Sequence, residues 1–325
     1  MKIEELYGKD YCFVDVRSPK EFEEDRIPGA INIPLFDNDE RAIVGTIYKK
    51  DSREKAIDKG LEIFSEKMPD MMKKFNSLRG KKICVYCWRG GMRSGSIVGL
   101  LQGLKFNAVQ LEGGYKDYRR YVREQLEVVK IPPLVVLYGL TGCGKTEILE
   151  KMKNSVDLEG LAEHRGSIFG DINLEPNSQK RFDSLLLKRL IELKDEPVVF
   201  TEGESRRIGR ILINERFWEA MKKGKKVKVV SDIDERVERI YRIYCDKFDK
   251  ELFKEKTRFI KKYVGGKKTE ELCDLIDQGK VKEFLKQILL EYYDKLYAHT
   301  INSKDYVCEV RNREELEAIP LTQLQ

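Results

Sequence analysis

Histidine is almost missing from this chain: two residues in 325. Cysteine is sparse too, seven residues, odd in number and scattered. Cys84 and Cys87 have CxxC spacing, but no second pair matches them, so no zinc site can be assembled. Nor is there a disulfide framework, which suits a reducing cytosol. Apolar runs are short. None reaches the ~18 residues of a membrane-spanning helix, and the first residues hold no apolar signal stretch. The expectation is a soluble, cytoplasmic protein with no membrane partner. Internal repeats and low-complexity stretches are absent as well. The formal net charge of +6 is mild, so its distribution matters more than its total. The length is enough for two domains of ordinary size.

What is present is organised around Cys87-Trp88-Arg89-Gly90-Gly91-Met92-Arg93-Ser94. The apolar run Ile83 to Tyr86 leads in, and a helical pattern of small residues, Ser96 to Leu104, leads out. That order reads as buried strand, tight loop, helix. A cysteine at such a junction lies near a helix N-terminus, where unpaired N–H groups favour an anion. Gly90 and Gly91 let the backbone wrap closely, and Arg89 and Arg93 add positive charge. Trp88, Met92 and Ser94 complete the ring of a candidate anion-binding loop. These features favour thiolate over thiol, and the thiolate is the nucleophile. Cys84, inside the strand, reads as a structural cysteine.

Upstream, Tyr11 to Val16 is a short strand. Ser18 reads as an N-cap, with Pro19 and Glu21 at the first and third helical positions. Ile27-Pro28-Gly29-Ala30 is a turn before the strand Ile31 to Pro34. Helical periodicity covers Lys55 to Leu78, and a last strand, Ala108 to Leu111, ends in Glu112-Gly113-Gly114. Strands alternating with helices imply a parallel α/β sheet, with ligands at the C-terminal ends of its strands. The residues Asp15-Val16-Arg17, Ile27-Pro28-Gly29-Ala30, the Cys87 loop and Glu112-Gly113-Gly114 resemble a rhodanese domain, which implies sulfur or selenium carried on the loop cysteine. Two features differ from that pattern. Arg26 stands where rhodaneses usually have His, and five residues separate Cys87 from Arg93 instead of four. Five is the spacing of related phosphatase and arsenate-reductase loops, and the longer loop suits a larger anion such as a phosphoryl-bearing donor.

Lys130-Ile131-Pro132-Pro133 reads as a linker. The buried strand Leu134 to Tyr138 follows, then Gly139-Leu140-Thr141-Gly142-Cys143-Gly144-Lys145-Thr146, which fits GxxxxGK[ST]. In such a loop the backbone N–H groups cradle phosphates, Lys145 reaches the outer phosphate and Thr146 is placed to ligate Mg²⁺. A second strand from Pro197 ends in Glu202-Gly203-Glu204, where a Walker-B carboxylate is expected. Glu202 and Glu204 either hold Mg²⁺ through water or pair with Arg206 and Arg207. His164 reads as a surface imidazole. Val227 to Val230 is a further strand, and a charged helical pattern fills about 234–300. Within it, Lys254 to Lys268 holds seven Lys or Arg against one acid, with Phe259 and Tyr263 interleaved. Such a run is either a solvated helix face or a contact for a phosphodiester backbone.

With Leu158-Glu159-Gly160-Leu161-Ala162, His164-Arg165-Gly166-Ser167 and Glu202-Gly203-Glu204-Ser205-Arg206 added, residues 10 to 245 or so resemble the tRNA 2-selenouridine synthase family. The implied architecture is α/β: a rhodanese-like parallel-sheet domain over 1–128, then a P-loop NTPase-like α/β domain over 129–325 with a helical C-terminal region. The resemblance implies replacement of sulfur by selenium in the wobble 2-thiouridine of the tRNA anticodon loop, with selenophosphate as donor and geranyl diphosphate as a second substrate. No tightly bound cofactor is expected. The residues to carry this are Cys87, Arg89 and Arg93 for selenium, and Gly139, Thr141, Gly142, Cys143, Gly144, Lys145 and Thr146 for diphosphate. Lys256, Arg258, Lys261, Lys262, Arg206 and Arg207 are the candidates for tRNA contact. Trp88 is expected to pack on the sheet, with stacking on a base as the alternative. Two other readings stay open: a thiol-dependent phosphatase or arsenate reductase fused to an NTPase, and a non-catalytic RNA-binding protein.

Overall fold

The computed structural model describes residues 1–203, 205–244 and 248–324. The chain divides into two compact units, Met1–Val128 with Asp183–Lys188, and Val129–Phe182 with Arg189–Gln325. No helix among the described residues is long and apolar enough to cross a membrane.

In the first unit the one-turn helix α1 (Ile3–Leu6) precedes β1 (Cys12–Asp15), α2 (Pro19–Glu24) and β2 (Ile31–Asn32). Helices α3 (Asn38–Lys50) and α4 (Arg53–Asn76) lead to β3 (Ile83–Tyr86), α5 (Met92–Gly103), β4 (Ala108–Gln110) and α6 (Gly114–Leu126). The strands pair in the order β2-β1-β3-β4, all parallel. All four residues of β3 are buried, as a central strand covered on both faces requires. Helix α2 starts as its sequence dictates: Ser18 caps it, Pro19 opens it, and the Glu21 carboxylate accepts the Ser18 N–H at 3.4 Å.

Helix α3 was not expected, and the reason is physical. It fully buries no side chain, and its short apolar stripe, Ile43, Val44 and Ile47, is half-buried at most, with Val44 resting on the core. Its ends hold it instead. Asp37 accepts the Glu40 N–H at 2.9 Å, Glu40 accepts the Asp37 N–H at 2.7 Å, and Lys67 of α4 pairs with both carboxylates. Helix α5 begins at Met92, earlier than the sequence pattern suggests, which puts Arg93 and Ser94 in its first turn.

After the first unit's α6 come β5 (Leu134–Tyr138), α7 (Lys145–Glu150), β6 (Ser155–Val156), α8 (Leu158–Ala162), α9 (Gln179–Leu193), whose residues 183–188 are grouped with the first unit, and β7 (Val199–Glu202). A small antiparallel pair, β8 (Arg207–Ile208) and β9 (Ile211–Leu212), is followed by α10 (Glu215–Lys223) and β10 (Lys225–Val229). Strand β11 (Cys308–Val310) closes a parallel five-stranded sheet in the order β11-β10-β5-β7-β6. Every residue of β5 is buried, so the loop after it is fixed at the C-terminal edge of the sheet.

The helical pattern over 234–300 resolves into α11 (Ile233–Tyr244), α12 (Lys250–Phe259), α13 (Lys261–Val264), α14 (Gly266–Asp277), α15 (Val281–Ile288) and α16 (Asp294–Asn302). A π-helical turn, Leu289–Tyr293, joins the last two and buries Tyr292 and Tyr293. These helices share an apolar cluster that includes Phe253, Leu272, Ile276, Phe284 and Ile288.

Candidate functional site

Strand β3 carries the chain straight into Cys87, which is 3% exposed. The loop is tied to the start of α6: Tyr115 N–H donates to the Cys87 carbonyl at 2.8 Å and Lys116 N–H to the Trp88 carbonyl at 2.9 Å. Gly90 sits at φ +62, and a Cβ there would lie 2.5 Å from the Leu111 carbonyl oxygen, so no other residue fits the bend. The Ser94 hydroxyl donates to the Cys87 sulfur at 3.2 Å. Burial by itself would raise the Cys87 thiol. The Ser94 hydroxyl, the Ser94 and Gly91 N–H groups and the charge of Arg93 outweigh it, and the thiol ends below its ordinary value. Cys84, buried in the same strand without such donors, is pushed up to about 12.

The flanking residues divide. Arg93 lies 3.6 Å from Glu21 on α2, which also faces Arg41 at 3.6 Å. Arg89 and Met92 are exposed. Trp88 leans on Tyr115 of α6, ring centroids 5.3 Å apart, and keeps 38% of its surface exposed. It therefore rests on a helix, not on the sheet, and offers a free face beside the thiolate loop. Arg26, where a histidine is usual, folds over Phe22 with its guanidinium 4.6 Å from the ring centroid.

The second candidate lies at the end of β5. Gly142, at φ +79, would bring a Cβ to 2.7 Å from Ile240, so helix α11 is packed against the loop and holds its curve. The Lys145 ammonium donates to the Gly139 carbonyl at 3.2 Å, across the mouth that a phosphate would fill. Cys143 is 1% exposed, so it serves the loop with its backbone. Two arginines of α11 clamp the loop from outside. Arg239 donates to the Gly142 carbonyl at 2.8 Å and to Glu147 at 3.0 Å. Arg236 donates to the Thr141 carbonyl at 2.9 Å and pairs with Asp294 at 2.6 Å. Sequence reasoning missed both, because an i, i+3 pair in a charged helix looks like surface until its packing is known.

This loop is one wall of a cavity of about 530 Å³. Gly142, Gly144, Lys145 and Thr146 line its polar end. Phe169, Tyr244, Phe253, Phe284, Ile288 and Leu289 form an apolar part of the wall, with Arg165, Ser167, Arg206 and Lys304 among the polar residues of the remainder. Phe253 and Phe284 are 1% and 0% exposed, so that apolar part reaches into the helical core.

The acidic residues are arranged differently from the expectation. Glu202 is buried and turns to Glu159, whose N–H it accepts at 2.6 Å. It does not reach the cavity wall, whereas Glu159 does, and the Thr146 hydroxyl donates to the Glu159 carboxylate at 3.5 Å. Asp157 joins Glu202 beneath. Burial raises its carboxyl, against hydrogen bonds to the Gly160 N–H and Glu202. Glu204 lies outside the described residues. Among the described residues no three His, Cys, Asp or Glu side chains are grouped to hold a metal. Thr146 and Glu159, a hydroxyl beside a carboxylate at the wall, fit an ion that takes most of its ligands from phosphate oxygens and water, as Mg²⁺ does.

Of the basic residues, Lys256 is committed to Asp171 at 2.6 Å, Lys254 to Asp277 at 3.0 Å, and Arg206 to Glu215. Arg258, Lys261, Lys262 and Lys267 are exposed, beside Phe259 and Tyr263 at 61% and 56% exposure. Arg207 is exposed on β8. His164 is not a surface imidazole: its ring is wedged against Gly170 and Gly209, and its Nδ1 accepts the Gly166 N–H at 3.1 Å.

Comparison with known proteins agrees with both halves. The family model described as tRNA 2-selenouridine synthase AAA domain matches residues 132–319, and that of the rhodanese-like domain matches residues 3–121. A protein of Shewanella halifaxensis named tRNA 2-selenouridine synthase is 30% identical over 92% of this chain and 91% of its own. One of the same name from Hydrogenovibrio crunogenus is 30% identical over 93% of this chain and 92% of its own. A solved N-terminal domain from Clostridium difficile 630 is 50% identical over 38% of this chain and 97% of that one, with a TM-score of 0.36. The two matched domains in this order, and relatives of one name along nearly the whole length, lead to one conclusion: the chain belongs to the tRNA 2-selenouridine synthase family.

Proposed function

We propose that this protein is a tRNA-modifying transferase that replaces the C2 sulfur of wobble 2-thiouridine by selenium, working in the cytoplasm. Sulfur bound as a thiocarbonyl is a poor leaving group, so the replacement runs in two steps. First, the sulfur attacks C1 of geranyl diphosphate, pyrophosphate departs, and the base loses its N3 proton to become the S-geranyl form. The phosphate loop holds the diphosphate, with Lys145 and the loop amides stabilising the charge that develops on the leaving pyrophosphate. Thr146 and Glu159 would hold Mg²⁺, which when bound would add to that charge neutralisation. Second, selenium from selenophosphate attacks C2, geranylthiol leaves, and the phosphoryl group passes to water. The N–H groups and Arg93 around Cys87 receive the phosphoryl oxygens; the Cys87 thiolate takes the phosphoryl group as the P–Se bond breaks, and water then releases it as phosphate.

The observation that carries the first step is the cavity. A phosphate loop for a nucleotide needs no wall of buried Phe and Leu behind it, whereas a prenyl diphosphate has a charged head for Lys145 and a hydrocarbon tail for Phe253 and Phe284. The exposed strip of Arg258, Lys261 and Lys262 with Phe259 and Tyr263 supports contact with tRNA, since cations neutralise phosphates and aromatic faces stack on bases. The test is mass analysis of nucleosides from 2-thiouridine tRNA incubated with protein, geranyl diphosphate and selenophosphate. S-geranyl-2-thiouridine should form without selenophosphate, and 2-selenouridine when both are supplied. Absence of the geranylated nucleoside removes the two-step route.

A second reading rests on the five-residue Cys87–Arg93 spacing and the Ser94 hydroxyl on the sulfur, which suit a loop that hydrolyses phosphoryl substrates. Turnover of a simple aryl phosphate at a rate unaffected by tRNA, with no selenouridine formed, would favour it.

A further inference from the structure

The thiolate loop has a neighbour with no part in the two-step reaction. Gln110 ends strand β4, next to β3 in the sheet, with Val85 as its register partner. Its side-chain amide nitrogen lies 2.7 Å from the Gly90 carbonyl oxygen, 3.0 Å from the Gly91 carbonyl oxygen and 2.9 Å from the Ser94 hydroxyl oxygen. Two of these partners are carbonyls, which only accept. The amide must therefore turn its NH₂ and not its oxygen toward the loop. The two NH₂ protons are shared among these three oxygens, and the amide nitrogen cannot accept, so the Ser94 proton turns away from Gln110 and is left to give elsewhere. Two acceptors compete for it: the Cys87 sulfur at 3.2 Å and the Gly91 carbonyl at 3.4 Å. The carbonyl is already served by Gln110; the sulfur is nearer and, as thiolate, carries charge.

We propose that Gln110 is a positioning residue for Cys87: it pins the Gly90–Gly91 bend and fixes the Ser94 hydroxyl as a donor to the sulfur. This rests on Cys87 being the reactive group of its loop, and on no particular donor or acceptor substrate. The device suits a buried nucleophile. The loop glycines would otherwise be free to move, and a hydroxyl able to rotate would stabilise the thiolate only part of the time. One charged group acts on the sulfur besides these donors: Arg93 on α5, held near Glu21 of α2. Gln110 carries no charge, so its effect on the thiol must pass through Ser94 and the loop amides.

The experiment measures alkylation of Cys87 by iodoacetamide against pH in the full-length protein, read by mass spectrometry of the Cys87 peptide. The variants are Gln110→Met, Gln110→Glu, Ser94→Ala and Gln110→Met with Ser94→Ala. Cys84 in the same samples reports folding, since it becomes reactive only if the sheet opens. With Gln110→Met the midpoint should move upward and alkylation at pH 7 should slow by about tenfold for a one-unit rise. Ser94→Ala should do the same, and the double variant little more, because both remove one relay. Gln110→Glu is of nearly the same size, cannot donate while ionised, and should also shift the profile. It carries the test if Gln110→Met exposes Cys84. A midpoint unchanged in a folded Gln110 variant, or Gln110 and Ser94 effects that add in full, overturns the proposal. Selenouridine formation is not needed for any of these readouts, so the thiolate relay and the proposed reaction fail or hold separately.

Discussion

The loops at Cys87 and at Lys145 obey the same local grammar. Each follows a fully buried central strand of a parallel sheet, bends on glycine and opens into a helix whose first N–H groups are unpaired. Unpaired N–H groups of this kind favour an anion. What differs is the packing behind them. The Cys87 loop is closed by the first turn of α6 and by Gln110, with the sulfur buried. The Lys145 loop is held open by arginines from α11 and gives onto an apolar cavity in a separate helical layer. Similar strand–loop–helix turns acquire different chemistry from what the rest of the chain packs around them.

The sharpest way to break this comparison is to remove the sulfur. Cys87→Ser should abolish selenium incorporation and leave geranylation and tRNA binding near normal, because an alcohol at neutral pH is a far weaker nucleophile than a thiolate. Selenouridine formed at the normal rate would reduce Cys87 to a structural role. Next in size is Lys145→Ala, expected to slow geranylation by ~100-fold or more, the usual loss when a donor aimed at transition-state charge is removed. Supplied with tRNA already S-geranylated, this variant should still make selenouridine. A failure of that rescue with tRNA binding intact would mean that one loop serves both steps.

A smaller effect separates the two buried cysteines of the first unit. Cys87 lies below the ordinary thiol value, held there by the Ser94 and Gly91 donors and Arg93 against burial, so its thiolate persists to lower pH than that of an ordinary cysteine. Cys84, at about 12, stays protonated throughout. Alkylation of the native protein between pH 6 and 9 should therefore label Cys87 and spare Cys84. Equal labelling would contradict the donor arrangement described for Ser94. The smallest expected change comes from the surface strip. Neutralising Arg258, Lys261 and Lys262 should weaken tRNA binding and lower the log–log salt slope, by up to roughly 0.9 for each phosphate that the variant no longer neutralises. Lys256→Ala, whose ammonium is already paired with Asp171, should change that slope less.

Much of the fold could be read along the chain, and particular residues show why. Ser18, Pro19 and Glu21 cap α2 through bonds that span three positions, and the apolar run of β5 needs only its own composition to be recognised. The missed elements lacked such local signals. Helix α3 has no buried stripe and is held by Asp37, Glu40 and Lys67, the last contributed by another helix. Helix α6 differs: its buried face, with Tyr115, Tyr118, Val122 and Leu126 spaced by three and four, carries a signal that periodicity alone could have found.

The two loop motifs, their glycines, Cys87 and Lys145 are properties of the sequence itself, because strand, bend and helix start are written in consecutive residues. The partners of those loops are not. That Glu159 and not Glu202 faces the cavity, that Arg236 and Arg239 grip the phosphate loop, and that Lys256 is tied to Asp171 depend on side chains tens of residues apart. Only the tertiary structure brings these groups together, because hydrogen bonds and ion pairs form over a few ångströms of space, and separation along the chain does not specify it.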